Sequence, residues 1–210
     1  MSRKLLLIGG GGHCRSVLDS VLAAGGFDEI GIVDSVGDPC LGIPVVGTDD
    51  DIPALVRSGW TEAFVTVGSI GDTRIRRRLY DMIRGYGLKI PVIVDPSAIL
   101  GKDTDIAEGV FVGKRAVINA GVAVDACAIV NTGAVVEHDC AIGAFAHISP
   151  GAVLCGQVQV GKDSHVGAGS VVKQQVRIGE GTLIGAGSVV VGDIPDHVKA
   201  YGVPCRVIRS

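Results

Sequence analysis

From Leu100 onward every sixth residue is Leu, Ile or Val, sixteen times in succession: Leu100, Ile106, Val112, Ile118, Val124, Val130, Val136, Ile142, Ile148, Leu154, Val160, Val166, Val172, Ile178, Ile184 and Val190. No insertion interrupts the count. Four residues after many of them sits a small or branched residue, among them Thr104, Ala116, Ala128, Ala134, Ala146, Ser164, Ser170 and Ser188. A period of six fits neither an α-helix at 3.6 nor a free strand at 2. It fits a β-helix of hexapeptide repeats, in which each short strand forms one side of a triangular coil. The aliphatic side chains fill the axis, the small residues pack near the corners, and the outer faces are left to carry function. Aromatics at only 4% and as many as 32 glycines follow from such a core and its tight corners.

Residues 1–97 obey a different grammar. Lys4–Ile8 is a short apolar run, as in a buried parallel strand. Four glycines, Gly9–Gly12, come next, then a helical stretch from about His13 to Ala24. Glu29–Val33, Ala63–Val67 and Pro91–Val94 read as further strands. A short helix through Arg57, capped by Asp49 or Asp50, and a longer one from Asp72 to Tyr86 lie between them. On the longer helix Ile75, Leu79, Met82 and Ile83 share a face. Alternating strands and helices of this size make a small parallel α/β domain. The period changes to six near Ser97, so the expected domains are 1–97 and 98–210.

The net charge of −3 gives nucleic acid no electrostatic footprint. The one basic run, Arg74–Arg78, reads as a solvated helix face. Six cysteines without a Cys-x-x-Cys pair read as small, mostly buried residues of a reducing compartment. Arg3 and Lys4 precede too few aliphatics for a signal peptide, and no apolar run approaches the ~20 residues that span a bilayer. A cytoplasmic protein without membrane insertion is expected.

The repeats Ile142-Gly-Ala-Phe-Ala-His147, Val160-Gly-Lys-Asp-Ser-His165 and Ile178-Gly-Glu-Gly-Thr-Leu183 resemble those of the left-handed β-helix, hexapeptide-repeat acyltransferases. That hand is an exception to the right-handed crossover rule. The tail Tyr201-Gly-Val-Pro-Cys-Arg206 resembles the segment closing these domains, and Gly10-Gly-Gly-His13 resembles the amino-terminal loop of the nucleotide-sugar acetyltransferases related to NeuD and PglD. The resemblance implies a Rossmann-like α/β domain that binds a nucleotide-linked amino sugar, followed by a left-handed parallel β-helix that binds acetyl-CoA. It assigns the sugar nucleotide to Gly11, Gly12, His13, Asp34, Ser35 and Gly68, all at strand ends, where ligands of open α/β sheets lie. The glycine loop also looks like a dinucleotide fingerprint, with Asp34 placed for a ribose diol, but Cys14 or Arg15 stands where its third glycine belongs.

The second cluster is Val136-Glu-His-Asp-Cys140. His138 takes an outward place beside a corner, where packing gives no reason for a histidine. A neighbouring carboxylate can hold one ring nitrogen and leave the other as a base. Asp139 and Glu137 both neighbour it, and spacing does not choose between them. The segment resembles the family's catalytic Glu-His-acid stretch, which implies His138 as general base and Asp139 as the acid that raises its basicity. Gly156, one 18-residue coil above His138, matches the oxyanion glycine of the family. The resemblance gives acetyl-CoA contacts to His147, and the small-residue turns at Gly167, Ala168, Gly185 and Ala186 would line the pantetheine groove. It also implies a homotrimer with a nucleotide-activated amino sugar as partner.

The expected reaction is acetyl transfer from acetyl-CoA to the sugar amine; O-acetylation of sialic acid or a related sugar is the alternative with the same base. Two readings stand outside that class. A non-catalytic β-helix scaffold leaves the Glu-His-Asp segment unexplained. A metal-dependent hydratase would use His147 and His165, one coil apart and so stacked, but it needs a third ligand that the spacing does not supply. No metal is expected, and His165 has no role in the acetyltransferase reading.

Overall fold

The computed structural model describes residues 2–37 and 39–208. Its amino-terminal sheet is parallel, with β1 (Lys4–Ile8) between β2 (Glu29–Val33) and β4 (Glu62–Val65), and β3 (Val45–Gly47) on the outer edge of β2. From Leu5 to Ile8, β1 is apolar and buried because it is central and covered on both sides. Helix α1 (Gly12–Ala24) buries Cys14, Val17, Leu18 and Val21 on one side of the sheet. Helices α2 (Ile52–Arg57) and α3 (Arg74–Gly85) bury Ile52, Leu79 and Ile83 in the core that contains Leu6 and Ile8. Ile75, expected on the buried face of α3, is 58% exposed, while Arg76 is 3% exposed.

The rest is a triangular parallel β-helix. Two-residue strands pair with the strand 18 residues on, as Val117 with Val135 and Val135 with Val153. Its first face carries Phe111–Val112, Ile129–Val130, His147–Ile148, His165–Val166 and Leu183–Ile184. The second carries Ile99–Leu100 and then the strands at 117, 135, 153, 171 and 189; the third carries those at 105, 123, 141, 159 and 177. From Val112 to Val190 the periodic aliphatics are at most 3% exposed, and Ala116, Ala128, Ala134 and Ala146 are fully buried beside them. Each aliphatic side chain so enclosed stabilises the fold by about 1.5–3 kcal/mol.

The short helix is capped not by Asp49 or Asp50: Thr48 caps the turn that leads into it, and Asp51 stands at the N-cap of α2. Two larger expectations also need correction. Ile93–Val94, expected as a strand of the α/β sheet, pairs instead with Phe111–Val112 and opens the first coil. The β-helix therefore begins before Ser97, and the outer place in the α/β sheet goes to β3. The basic run is not simply a solvated face. Arg76 reaches into the β-helix and donates to the carbonyls of Phe145, at 3.0 Å, and Cys127. Arg77 pairs with Asp163 at 2.6 Å, and Thr73 donates to the same carboxylate. Burial lowers the Arg76 guanidinium to about 10, so it stays charged at neutral pH. A buried charge held by carbonyl oxygens is costly to strand, which makes α3 a clamp between the domains.

Candidate functional site

His138 and Asp139 follow the second-face strand Val135–Val136, at the corner before the third face. Asp139 takes a left-handed φ of 58°, a turn conformation that Asp tolerates better than most residues. His138 Nδ1 and Asp139 Oδ2 lie 2.8 Å apart. A carboxylate only accepts, so Nδ1 carries the proton and Nε2 keeps the lone pair. Glu137 is occupied elsewhere, taking a hydrogen bond from Asn119 Nδ2 at 2.9 Å. Of the two acids, Asp139 bonds the imidazole and Glu137 does not. Both members of the pair are more than half exposed, 58% and 57%.

Gly156 sits one coil above. A Cβ there would lie 2.5 Å from His138 Nε2 and 2.7 Å from Cε1. The imidazole occupies the space of the missing side chain, so any larger residue collides with the lone-pair nitrogen. No hydrogen bond of the Gly156 N–H occurs among the described residues. A nitrogen with a free lone pair beside an uncommitted N–H donor can accept a proton and stabilise a nearby developing oxyanion.

A cavity of about 470 Å³ lies at a different corner, between the first and second faces. His147, Gly167, Ala168, Gly185 and Ala186 all line it, joined by Ile70, Ser149, Pro150, His165, Leu183, Ile184 and Tyr201. The glycines have reasons beyond room for a ligand. A Cβ on Gly185 would strike the Tyr201 ring at 1.8 Å, and one on Gly167 would meet the backbone nitrogen of Ala186 at 2.5 Å. His147 Nδ1 donates to the Ser69 carbonyl at 3.1 Å, and its Nε2 therefore accepts from Asn131 Nδ2 at 3.1 Å. Burial, more than any charge, pushes it down to about 3. With both nitrogens engaged, His147 offers the cavity its ring carbons and is no base. His165 stacks edge-on against it, ring centres 4.9 Å apart. Ser149 Oγ meets His165 Nε2 at 3.1 Å, while Nδ1 is buried without a partner. Among the described residues no three His, Cys, Asp or Glu are grouped to hold a metal ion.

In the α/β domain, Asp34 and Ser35 line a cavity of about 300 Å³ at the carboxyl ends of the strands, with Gly9, Thr48, Asp49, Asp50, Ile75 and Arg78. The Asp34 carboxylate accepts from the N–H groups of Gly10 and Val36, and the first of these does most to hold it below the usual carboxylate range. It therefore braces the glycine loop as well as facing the cavity. Gly11 and Gly12 are outside this lining, exposed, with open space where their side chains would be, at the amino terminus of α1. His13 turns away to the seam between the domains, edge-on to Phe111 at 5.5 Å, with Gly68 packed against its Cβ. Burial and, after it, the Arg76 charge lower His13 to about 4, and its Nε2 is buried without a partner. Sequence reading missed Arg78 and Thr48 in this cavity, and Ile70 and Tyr201 in the larger one. Arg78 had a signal in the basic run and Tyr201 one in the closing tail, though neither pointed to a cavity.

Comparison with known proteins shows the family. Residues 4–83 match the PglD N-terminal domain, residues 139–174 and 157–192 the bacterial transferase hexapeptide (six repeats), and residues 91–126 the hexapeptide repeat of succinyl-transferase. Perosamine N-acetyltransferase from Caulobacter crescentus, solved as a mutant with CoA and GDP-perosamine, is 39% identical over 99% of this chain and 97% of its own, with a TM-score of 0.93. The chain belongs to the PglD-like sugar N-acetyltransferases of the left-handed β-helix, hexapeptide-repeat family. The acetyltransferase domain of PglB from Neisseria gonorrhoeae, solved with acetyl coenzyme A, is 37% identical over 99% of this chain and all of its own, with a TM-score of 0.93. WeeI from Acinetobacter baumannii, at 19% identity and a TM-score of 0.85, shares the fold. Among curated proteins none matches the chain. These relatives place the β-helix in the left-handed class and the chain among acetyl-CoA-dependent sugar N-acetyltransferases. Among the described residues no helix is long and apolar enough to cross a membrane.

Proposed function

We propose that the protein transfers an acetyl group from acetyl-CoA to the amine of a nucleotide-linked amino sugar, with His138 as general base. The observation that carries this reading is the Asp139–His138–Gly156 arrangement, a protonated Nδ1 at 2.8 Å from its acid and a free Nε2 over a glycine. Asp139 holds the tautomer and steadies the imidazolium that forms. His138 Nε2 takes the proton of the amine as the amine attacks the thioester carbonyl. The Gly156 N–H donates to the oxygen on which negative charge develops. The imidazolium then returns its proton to the departing thiolate of CoA. No protein nucleophile is needed, because the sugar supplies one. The 470 Å³ cavity receives the acyl donor, and the strand-end cavity at Asp34 and Ser35, with the Gly11–Gly12 loop beside it, receives the sugar nucleotide. Both substrates belong to the cytoplasm, and the cysteines, free and mostly buried, fit that compartment.

The working unit is a homotrimer with sites at its interfaces. Two features support it. The second face turns a ladder of aliphatics outward: Ile99, Val117, Val135, Val153, Val171 and Val189, of which Ile99 is 63% exposed. The third face forms a trough of about 400 Å³ that includes the small residues Ala107, Ala123, Ala141, Gly143 and Gly161. Ladder against trough is a head-to-tail contact, and the rotation of about 120° between the faces of a triangular prism is the one that closes three copies into a ring. His138 stands at the corner between these faces, where copies meet, whereas His13 lies over the first face. Within one chain, base and sugar-nucleotide loop are on different sides of the prism, and a neighbour brings them together.

A thiol-release assay with acetyl-CoA and UDP-, GDP-, dTDP- and CMP-linked amino sugars tests the reaction. One of them supports turnover, and His138→Ala lowers it by about 10²–10⁴ while acetyl-CoA still binds. Near-normal turnover in that variant at neutral pH sinks the assignment of the base.

A further inference from the structure

The donor cavity has one wall that the β-helix does not supply. Ile70 comes from the loop after β4, on the other domain, and meets the cavity opposite residues such as Pro150, Ala168, Leu183 and Tyr201. Its side chain is 75% exposed, so it contributes little to the stability of the chain where it stands. A single exposed aliphatic residue is ordinary on a protein surface. This one is held in position by contacts on either side. Before it, Gly68 packs against His13, where a Cβ would lie 3.5 Å from the His13 Cβ. Ser69 accepts the His147 Nδ1 proton at 3.1 Å. After it, Gly71 takes a left-handed φ of 71° and lies so close to Leu183 that a Cβ would be 2.8 Å from Cδ1. The loop is thus bonded to one residue of the cavity lining and seated on another, and between these anchors it projects an apolar side chain over the opening.

We propose that the loop 68–72 is a wall of the acyl-donor site and that Ile70 is its apolar contact with the pantetheine arm, so that the amino-terminal domain takes part in binding acetyl-CoA. The inference rests on the assignment of this cavity to the donor. The chemistry matches: the pantetheine arm is a thin chain with methylene and gem-dimethyl groups, and the rest of the lining offers Pro150, Ala168, Leu183, Ile184 and the Tyr201 ring. An apolar residue left out of its own core is covered when the donor is in place, which gives it a role that packing within the chain does not.

Calorimetry with acetyl-CoA on the full chain tests this with three variants. Ile70→Ser weakens acetyl-CoA about five- to tenfold. It leaves affinity for the sugar nucleotide unchanged and melts within about 2 °C of wild type, because the side chain is exposed. Ile70→Leu restores affinity to within about twofold. Ala168→Trp, on the β-helix side, fills the cavity and abolishes binding. If Ile70→Ser binds acetyl-CoA as wild type does while Ala168→Trp does not bind, the loop is no wall and the inference fails with the cavity's assignment intact. If Ala168→Trp also binds normally, the cavity is not the donor site and both readings fall.

Discussion

Gly156→Ala puts the reading of the active corner to a direct test. The new methyl would stand 2.5 Å from His138 Nε2 and 2.7 Å from Cε1, whereas ordinary contact begins at 3.4 Å. The ring must retreat by about 1 Å to reach normal van der Waals separation. It is free to do so, since its side chain is 58% exposed. Retreat strains or breaks the 2.8 Å bond to Asp139, which is worth about 0.5–1.5 kcal/mol of stability. Replacing a glycine whose φ is not in the left-handed region returns up to about 1 kcal/mol through the unfolded chain. The two roughly cancel, and the melting temperature moves by only a few degrees. Catalysis does not cancel. A 1 Å misplacement of a reacting group costs about a hundredfold, or about 2.7 kcal/mol on the barrier. Steady-state thiol release therefore shows kcat reduced about a hundredfold, with the dissociation constant for acetyl-CoA unchanged. Gly192→Ala, where a Cβ meets nothing within 4 Å, is the control and keeps full activity. A Gly156→Ala enzyme retaining more than half its kcat refutes the argument, as does a loss of kcat matched by a loss of fold.

Other predictions follow from neighbouring features. Asp139→Asn lowers kcat more than Glu137→Gln does, because Asp139 holds His138 Nδ1 while Glu137 is bonded to Asn119; equal losses in steady-state assays would contradict that division. Stability falls as pH drops from about 6.5 to 5, the window in which histidines of the unfolded chain gain protons that the folded chain refuses. His147 at about 3 and His13 at about 4 each cost on the order of 1–2 kcal/mol at pH 5, and His165, lowered by its burial, acts in the same direction. Thermal melts along that range check this, and a flat profile above pH 5 rules it out. Mixing His138→Ala chains with chains blocked by a bulky residue at Gly11 under exchange conditions restores activity, since a mixed trimer contains intact pairs; no recovery places base and loop in one chain. Val153→Glu, which puts a charge in the outward ladder, yields monomers by light scattering together with lost turnover, and an unchanged mass shows that this face is not the interface.

The β-helix was legible in the sequence because its rule is local and repeated. An inward position recurs every six residues, and each must be aliphatic, so the pattern is written out sixteen times. His138 was legible for the converse reason: an outward histidine beside acids has no place in that pattern. The stacking of His147 on His165 followed from counting 18 residues. What depended on partners at no fixed separation was not legible. Arg76 and Arg77 resemble a solvated helix face until the carbonyls of Cys127 and Phe145 and the carboxylate of Asp163 are brought against them from the other domain. Asp139 and Glu137 are equivalent neighbours of His138 in the chain, and only the side chain of Asn119, one coil below, separates their roles. Pro91–Val94 has the composition of a buried strand in either domain, and its pairing with Phe111–Val112 decides to which it belongs. Ile70 carries no signal at all, and Tyr201 only that of a closing tail, because a cavity wall exists only once segments more than a hundred residues apart have met. Periodicity records what each residue faces along its own coil; a site assembled across coils and domains is recorded only in the tertiary structure.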